Sequence, residues 1–438
     1  MFDSEEKKWY NSKKKIRGCN LNKVYLVIDL KSFYASVECV ERGLDPFNTN
    51  LVVADPSRGK GGICLAITPA MKMLGIKNRC RIYEIPSNVK YITALPRMNK
   101  YIEYSANIYA VYLKYIAKED IYPYSIDECF LDVTNYLNTY NMNGMQLAKK
   151  IMKDVFDTLG ITATCGIGTN MYLAKVALDI MSKHSPTNIG WLNEERYKKE
   201  LWHYKPLTDF WQIGVGIERR LNKLGLHDMY DIAHCNEKKL YKEFGINAEF
   251  LIDHSKGIEP CTIKDIKDYK PKSNSISNSQ ILFKDYNYDD AKLIVKEMVE
   301  LLSQQLVQKN LATDCIKLYI GYSKDIRKAT GGTRRLHDFT NQYSKLVFEF
   351  LKLYEQTTDK DNPIRRVGIS FERLQEDENE QLNLFESIEN KDKEKKLEKT
   401  IIELKAKMGK NAILKGMNLE ENATTIIRNK LIGGHNGY

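Results

Sequence analysis

The sequence predicts a multidomain α+β protein: a first sheet with helices on one face, a helical unit, and a second α+β unit. Three observations carry this. The chain has 438 residues, and single cores seldom exceed ~250 residues, so several packed units are expected. Its first part alternates short apolar runs rich in Val, Ile and Leu with stretches of helical period, whereas glycine-punctuated helical pieces dominate after Ser185. A polar, basic stretch over 263–275, "IKDIKDYKPKSNS", reads as a linker to the last unit.

The first element, "VYLVIDL", is a β-branched apolar run that reads as a buried strand ending on Asp29. "SFYASVECVERG" follows as a helix, with Phe33, Val37 and Val40 on one face, Ser32 as its N-cap and Gly43 as its stop. "LVVADPSRGKGGICLAIT" reads as strand, Gly-rich turn and strand, leading into the short helix "PAMKMLGIK" with Pro69 at its start. This pair is an insertion after the first strand. A strand at Tyr91–Ala94, a Tyr-rich helix at Asn99–Lys118, the stretch "YPYSIDECFLDV", a helix at about Met145–Leu159, the run "TATCGIGTN" and a helix at about Tyr172–Ser182 complete the unit.

Further on, "PLTDFWQIGVGIERRLNKLGLHDMYDIA" carries Gly214 and Gly216 in a hairpin between helices, whose backbone N–H groups can hold a phosphate without reading a base. The last unit reads as a helix at Asp289–Lys309, a helix at Asn341–Glu355 and the strands "CIKLYIGYS", "GGTRRLHDF" and "IRRVGISFERL". Arg334, Arg335, Arg365 and Arg366 fall in adjacent pairs, and neighbours on a strand face opposite sides, so about one of each pair can meet a phosphate backbone. In the acidic and polar tail, Leu382, Leu384 and Phe385 are apolar anchors suited to a partner's groove.

Composition narrows the classes. Sixty-seven Lys and Arg against 57 Asp and Glu give a net charge of +10, compatible with a polyanionic partner. The nine cysteines show no zinc spacing or disulfide framework, which suits a reducing cytosol. The leading "MFDSEEKKWYNSKKK" has no apolar core of a signal peptide, and no run reaches the ~18 apolar residues of a membrane span. The expectation is a cytoplasmic protein with no membrane association.

Asp127 and Glu128 stand side by side among apolar neighbours, and Asp29 ends an expected neighbouring strand. Three clustered carboxylates disfavour folding unless a cation offsets them, and oxygen ligands without His or Cys favour Mg²⁺. Adjacent strand residues face opposite sides, so both acids reach one site only if the chain turns or bulges there. Two such ions can drive in-line phosphoryl or nucleotidyl transfer, which serves polymerases and nucleases alike. Phe33 and Tyr34 would place rings beside a bound sugar, and Lys72 and Lys183 could neutralise phosphates.

"VIDLKSFYASVE", "YSIDECFLDVT", "GIGTNMYLAKVALDIMSKH", "IGVGIERRLNKLG" and "PIRRVGISFERL" together resemble the Y-family translesion DNA polymerases, in the UmuC and UvrX-like branch of Gram-positive bacteria and their mobile elements. The resemblance runs from about Lys23 to Phe385. It implies a right-hand polymerase: a ferredoxin-like palm over 23–39 and 86–187, small fingers over 40–85, and a helical thumb with a helix-hairpin-helix over 188–262. After the linker at 263–275 come an α+β little finger over 276–375 and a tail over 376–438; residues 1–22 form a lead outside the resemblance.

Asp29, Asp127 and Glu128 match the catalytic triad that binds two Mg²⁺ ions, for which Mn²⁺ can substitute, with the Leu30 carbonyl as a further ligand. Tyr34 matches the steric gate against ribonucleotides, with Phe33 beside it, and Lys183 matches a triphosphate lysine. Gly214 to Leu224 matches the thumb hairpin, and Arg365 and Arg366 match little-finger DNA contacts. "QLNLF", with Gln381, Leu382, Leu384 and Phe385, resembles the peptide that binds the bacterial sliding clamp. "GKNAILKGMNLEENATTIIRNKLIGGH" resembles the C-terminal extension of the UvrX-like branch.

The implied activity is template-directed DNA synthesis past damaged bases, by a monomeric catalytic subunit taking primer-template DNA and deoxynucleoside triphosphates, with accessory activators possible. A non-catalytic DNA- and clamp-binding protein on the same fold is the alternative. Two departures mark the sequence: Pro69 and Lys72 stand where the DinB branch has Tyr and Arg, and the interval from Asp179 to Lys183 is longer by a single residue.

Overall fold

The computed structural model describes residues 23–271, 274–323, 326–377 and 388–438. The chain forms two compact units, one ending at Tyr269 and one over Lys270–Gly437. Residues 1–22 and the peptide with Gln381, Leu382, Leu384 and Phe385 lie outside the described residues.

In the first unit, β1 (Tyr25–Leu30) leads into α1 (Phe33–Val40). The insertion then builds its own sheet, with β3 (Ala66–Ile67) antiparallel and β4 (Ile92–Ala94) parallel to β2 (Leu51–Val53). The short helix α2 (Pro69–Met73) lies between β3 and β4 and adds Met71 to the core of Val52, Ile67 and Ile85. After α3 (Met98–Leu113) the chain returns through β5 (Ile121–Pro123), β6 (Glu128–Asp132), α4 (Gly144–Leu159), β7 (Ala163–Gly168), α5 (Met171–Val176) and β8 (Ile189–Leu192). The main sheet has the order β5-β6-β1-β7-β8, with β1 antiparallel to both neighbours and β8 parallel to β7. α4 starts at a capping box, Asn143 and Gln146 bonding each other's backbone N–H at 2.9 Å.

Four sequence expectations change. Helices cover both faces of the main sheet: Tyr25 and Val27 pack with Met171, Ala174 and Leu178, whereas Leu30, on the other face by alternation, lines a cavity with Ile108 and Tyr112 of α3. The glycines of "GIG" permit this second layer, since a Cβ at Gly166 would fall 2.0 Å from the Ala174 carbonyl oxygen and one at Gly168 2.2 Å from the Ala174 nitrogen. The helix expected over Tyr172–Ser182 is α5 followed by a π-helical turn, Ala177–Met181.

The remaining two changes concern caps. Ser32 does not cap α1; it has a left-handed φ of 50° and makes no side-chain cap bond. The start of the expected linker folds as a helix, Ile263–Asp268, because Thr262 and Asp265 form a capping box and Ile263 joins the Tyr25 and Val27 cluster. Short helices over 194–255 enclose a core of Leu207, Phe210, Ile213, Leu221 and Leu251, and α6 (Val215–Lys223) begins at Gly214.

The second unit holds β9 (Ile276–Tyr286), α7 (Tyr288–Gln308), β10 (Leu311–Tyr322), β11 (Thr330–Thr340), α8 (Tyr343–Thr357) and β12 (Ile364–Glu372). The sheet order is β11-β10-β12-β9, and α7 and α8 pack Ile294, Met298 and Phe350 against Ile316, Leu318, Ile320, Val367 and Phe371. The tail adds α9 (Ile388–Met408) and docks residues after it on α7. There the buried Glu297 carboxylate accepts from Thr424 N at 2.8 Å, Thr424 Oγ1 at 3.0 Å and Thr425 N at 3.1 Å.

Candidate active site

The sheet register places Asp29 directly opposite Glu128 across β1 and β6. Asp127 sits in the turn that joins β5 to β6, and its carbonyl oxygen accepts from Leu30 N at 2.9 Å. The turn solves the problem of two adjacent acids, because the chain reverses there instead of running straight through. Burial and the neighbouring Asp127 and Glu128 charges push the Asp29 carboxyl up to about 7. The three acids therefore share one electrostatic neighbourhood at the end of the sheet.

Glu128 and Asp127 have distinct partners. Lys175 on α5 donates to Glu128 Oε2 at 2.9 Å and to Asp179 Oδ1 at 3.0 Å, and Ser125 Oγ donates to Asp127 Oδ1 at 2.6 Å. Glu128 Oε1 is buried and, among the described residues, without a hydrogen-bond partner. Among the described residues, no three His, Cys, Asp or Glu side chains are gathered tightly enough to enclose a cation by themselves. Yet an orphaned buried carboxylate oxygen costs about 1–3 kcal/mol or more, and a hard divalent cation is the partner that suits it. The donor set thus fits Mg²⁺, with Lys175 already holding the other Glu128 oxygen.

The rings stand next to the acids. Phe33 is buried, and its ring centroid is 5.8 Å from that of Tyr34. Tyr34 stacks on Tyr101 at 4.4 Å with an interplanar angle of 15°. Tyr101 is itself fixed, its hydroxyl donating to Glu38 Oε1 at 2.8 Å, while Arg97 binds both Glu38 oxygens at 2.9 and 3.0 Å. Burial and then the nearby Asp127 charge raise the Tyr34 hydroxyl.

Lysines face the same acids. Crowding by the chain lowers the Lys72 ammonium, with Asp29 pulling it back up and the Lys183 and Lys31 charges lowering it further. A π-helical turn with i→i+5 bonding, Ala177–Met181, precedes Lys183. Sequence reasoning missed Lys175, Lys31, Tyr101 and Glu38. The i,i+4 spacing of Lys175 and Asp179 and the lone Glu38 in the apolar "ASVECV" were the available signals. For Tyr101, one of many tyrosines, there was none.

The proposed DNA contacts are sorted by the structure. A Cβ at Gly214 or Gly216 would meet no atom of the described residues within 4 Å, so among them the start of α6 is open. In the second unit, Arg366 pairs across the sheet with Gly321 and lies 5.3 Å over the Tyr319 ring, on the face turned away from α7 and α8. Arg335 shares that face with Cys315 and is ion-paired with Asp314 at 2.9 Å; Arg365 is 3.4 Å from Asp285. Arg334 is a correction to the sequence reading. It pairs with core-facing Ile316 and points to α8, where Glu349 binds it at 3.2 Å.

The sequence matches the impB/mucB/samB family over residues 28–179 and that family's C-terminal domain over 273–384. It is 32% identical to UvrX of Bacillus subtilis (strain 168), a UV-damage repair protein by name, across 94% of this chain and 97% of that protein. The chain belongs to the Y family of DNA polymerases. A second relative, DNA polymerase IV 2 of the same organism, is 30% identical over 94% of this chain and 98% of its own length. The fold matches a solved Y-family chimera, Dbh-Dpo4(243-245)-Dbh, with a TM-score of 0.61 at 22% identity, over 81% of this chain and 99% of that one. The multidomain α+β architecture expected from the sequence is therefore the family's own. Among the described residues, no helix is long and apolar enough to cross a membrane.

Proposed function

We infer that this Y-family polymerase adds deoxynucleotides to a primer 3′ end by a two-Mg²⁺ mechanism and serves translesion synthesis in the DNA damage response. The observation that carries the reading is the convergence of Asp29, Asp127 and Glu128 at one sheet end, with Glu128 Oε1 buried and, among the described residues, without a partner. Those side chains and the Leu30 carbonyl would hold the ions, which when bound activate the primer hydroxyl and offset charge on the phosphates. Tyr34, backed by Tyr101, blocks the space of a ribose 2′-hydroxyl. Lys72 and Lys183 meet the triphosphate as point charges.

On the DNA, the Gly214 and Gly216 hairpin and the exposed Arg366, with Arg335 and Arg365, contact phosphates without reading bases. The peptide with Gln381, Leu382, Leu384 and Phe385 is the expected contact to the bacterial sliding clamp. The enzyme would act in the cytoplasm, at the nucleoid, as a monomeric catalytic subunit.

Primer extension with Mg²⁺ and deoxynucleotides tests the reading. The wild type extends the primer, and Asp127→Ala abolishes extension while still binding primer-template. A wild type that binds primer-template and adds no nucleotide would overturn the enzyme reading in favour of a DNA-binding module.

A further inference from the structure

We propose that the Tyr124 hydroxyl is a further contact for the primer strand, donating to a phosphodiester near its 3′ end from a position that Trp211 fixes. The inference rests on reading Asp127 and Glu128 as the place of the primer hydroxyl and the Gly214 and Gly216 hairpin as a phosphate contact. Tyr124 lies in the turn from β5 to β6, three residues before Asp127, and its N–H donates to the Glu128 carbonyl at 2.9 Å. The neighbouring Ser125 N–H donates to the same carbonyl at 3.1 Å. The Tyr124 ring stands edge-on to Phe130 at 5.6 Å and to Trp211 at 6.0 Å. Trp211 in turn packs against Phe130 and the Tyr25 and Val27 cluster, and it stands three residues before Gly214.

The bond between the two side chains sets the direction of the hydroxyl. Trp211 Nε1 is 3.2 Å from the Tyr124 oxygen. An indole N–H only donates, so Tyr124 is the acceptor there and its own hydrogen points elsewhere. Among the described residues that hydrogen has no acceptor. Tyr124 is 45% exposed despite its two aromatic neighbours, so a directed donor faces solvent on the turn that carries the acids. A primer whose 3′-hydroxyl meets ions at Asp127 and Glu128, and whose duplex is held at Gly214 and Gly216, passes from the turn to the hairpin. Tyr124 and Trp211 belong to those two segments and touch each other. A tyrosine hydroxyl is a common phosphate donor, and its bond to an ionised phosphate is stronger than one to a neutral group. Such a contact carries no sequence information, which suits a primer of any sequence.

The test measures binding of primer-template by the full chain, by fluorescence anisotropy without nucleotide, for the wild type, Tyr124→Phe and Trp211→Phe. Each is measured on a natural primer and on primers in which one phosphodiester near the 3′ end is replaced by an uncharged methylphosphonate. Tyr124→Phe keeps the ring and its packing but loses the O–H, and it weakens binding to the natural primer on the order of tenfold, the value of one charge-assisted hydrogen bond. On the primer whose substituted phosphate meets Tyr124, the gap between wild type and Tyr124→Phe shrinks to roughly threefold or less, because the charge that strengthens the bond is gone. A merely structural role would not depend on which phosphate is charged. Trp211→Phe, which keeps a ring but not the orienting N–H, shows the same coupling with a smaller loss; a loss indifferent to the substituted phosphate removes Trp211 from the proposal. No loss in Tyr124→Phe, or an equal loss on every primer, overturns the Tyr124 contact. If the wild type then still extends the primer with Mg²⁺ and deoxynucleotides, the polymerase reading stands without that contact. A wild type that binds primer-template and extends nothing overturns the polymerase reading itself.

Discussion

Replacing Lys175 with methionine removes the cation that stands among the carboxylates. The Lys175 and Glu128 side chains are each 10% exposed and 2.9 Å apart, whereas Asp179, the second partner, is 28% exposed. Breaking a buried ion pair from one side costs about 3–5 kcal/mol. Because Asp179 can regain water, the loss belongs near the lower end, about 3 kcal/mol. At roughly 2–4 °C per kcal/mol for a unit of this size, the first unit should melt roughly 6–12 °C lower in the presence of a chelator. A divalent cation bound by Asp29 and Glu128 supplies part of the missing charge, so the rise in melting temperature on adding Mg²⁺ or Mn²⁺ should be larger in the variant than in the wild type. Thermal unfolding by circular dichroism, with chelator and with metal, measures both differences. An equal deficit in the two conditions would show that Lys175 is a packing ion pair unconnected with the metal site.

Three other perturbations follow from the same geometry. Tyr101→Leu removes the ring behind Tyr34, and loss of an aromatic pair worth about 0.5–1.5 kcal/mol should lower discrimination against ribonucleotides by roughly two- to tenfold; an unchanged ratio of ribo- to deoxynucleotide incorporation refutes the backing role. At Glu38, burial opposes the charge, but hydrogen bonds from Arg97, Arg42 and Tyr101 outweigh it and hold the carboxyl below its ordinary value of 4.5. That stabilisation is full above pH 4.5 and is lost as pH falls through the depressed value, so Glu38→Gln should be less stable near neutrality by a margin that narrows in acid, as chemical denaturation can follow. Arg366→Ala should reduce the salt slope of DNA binding by about one, whereas Arg334→Ala should leave the slope intact and lower stability; a reversed result would refute the assignment of faces.

How much of this was legible in the sequence depended on whether the signal was local. The strand "VYLVIDL", the helix at Gly144–Leu159 and the acids at 29, 127 and 128 follow from periodicity, caps and charge among apolar residues. The opposite facing of paired arginines was legible as a rule, but which member faces outward required the register against Ile316 and Gly321. The second helical layer was marked by Gly166 and Gly168 at strand period, a signal easily taken for turn glycines. Lys31 and Tyr101 make their contacts across long sequence separations, and nothing local distinguished them from the surface lysines and packing tyrosines around them.

The placement of cations explains how the chain tolerates its acids before any metal is present. Lys175 approaches from α5, on the face of the sheet where Asp29 and Glu128 pair, and takes only Oε2 of Glu128. Oε1 stays free for a second cation, so metal binding does not require Lys175 to leave. Lys31 and Lys72 come from other segments and feel Asp29. In the proposed reaction the carboxylates lie between a buried lysine that orients Glu128 and Lys72, which meets the triphosphate. Exchanging those two roles would fail physically. A carboxylate locked to Lys175 through both oxygens would leave none for a metal, and lysines paired to local acids could not grip a triphosphate.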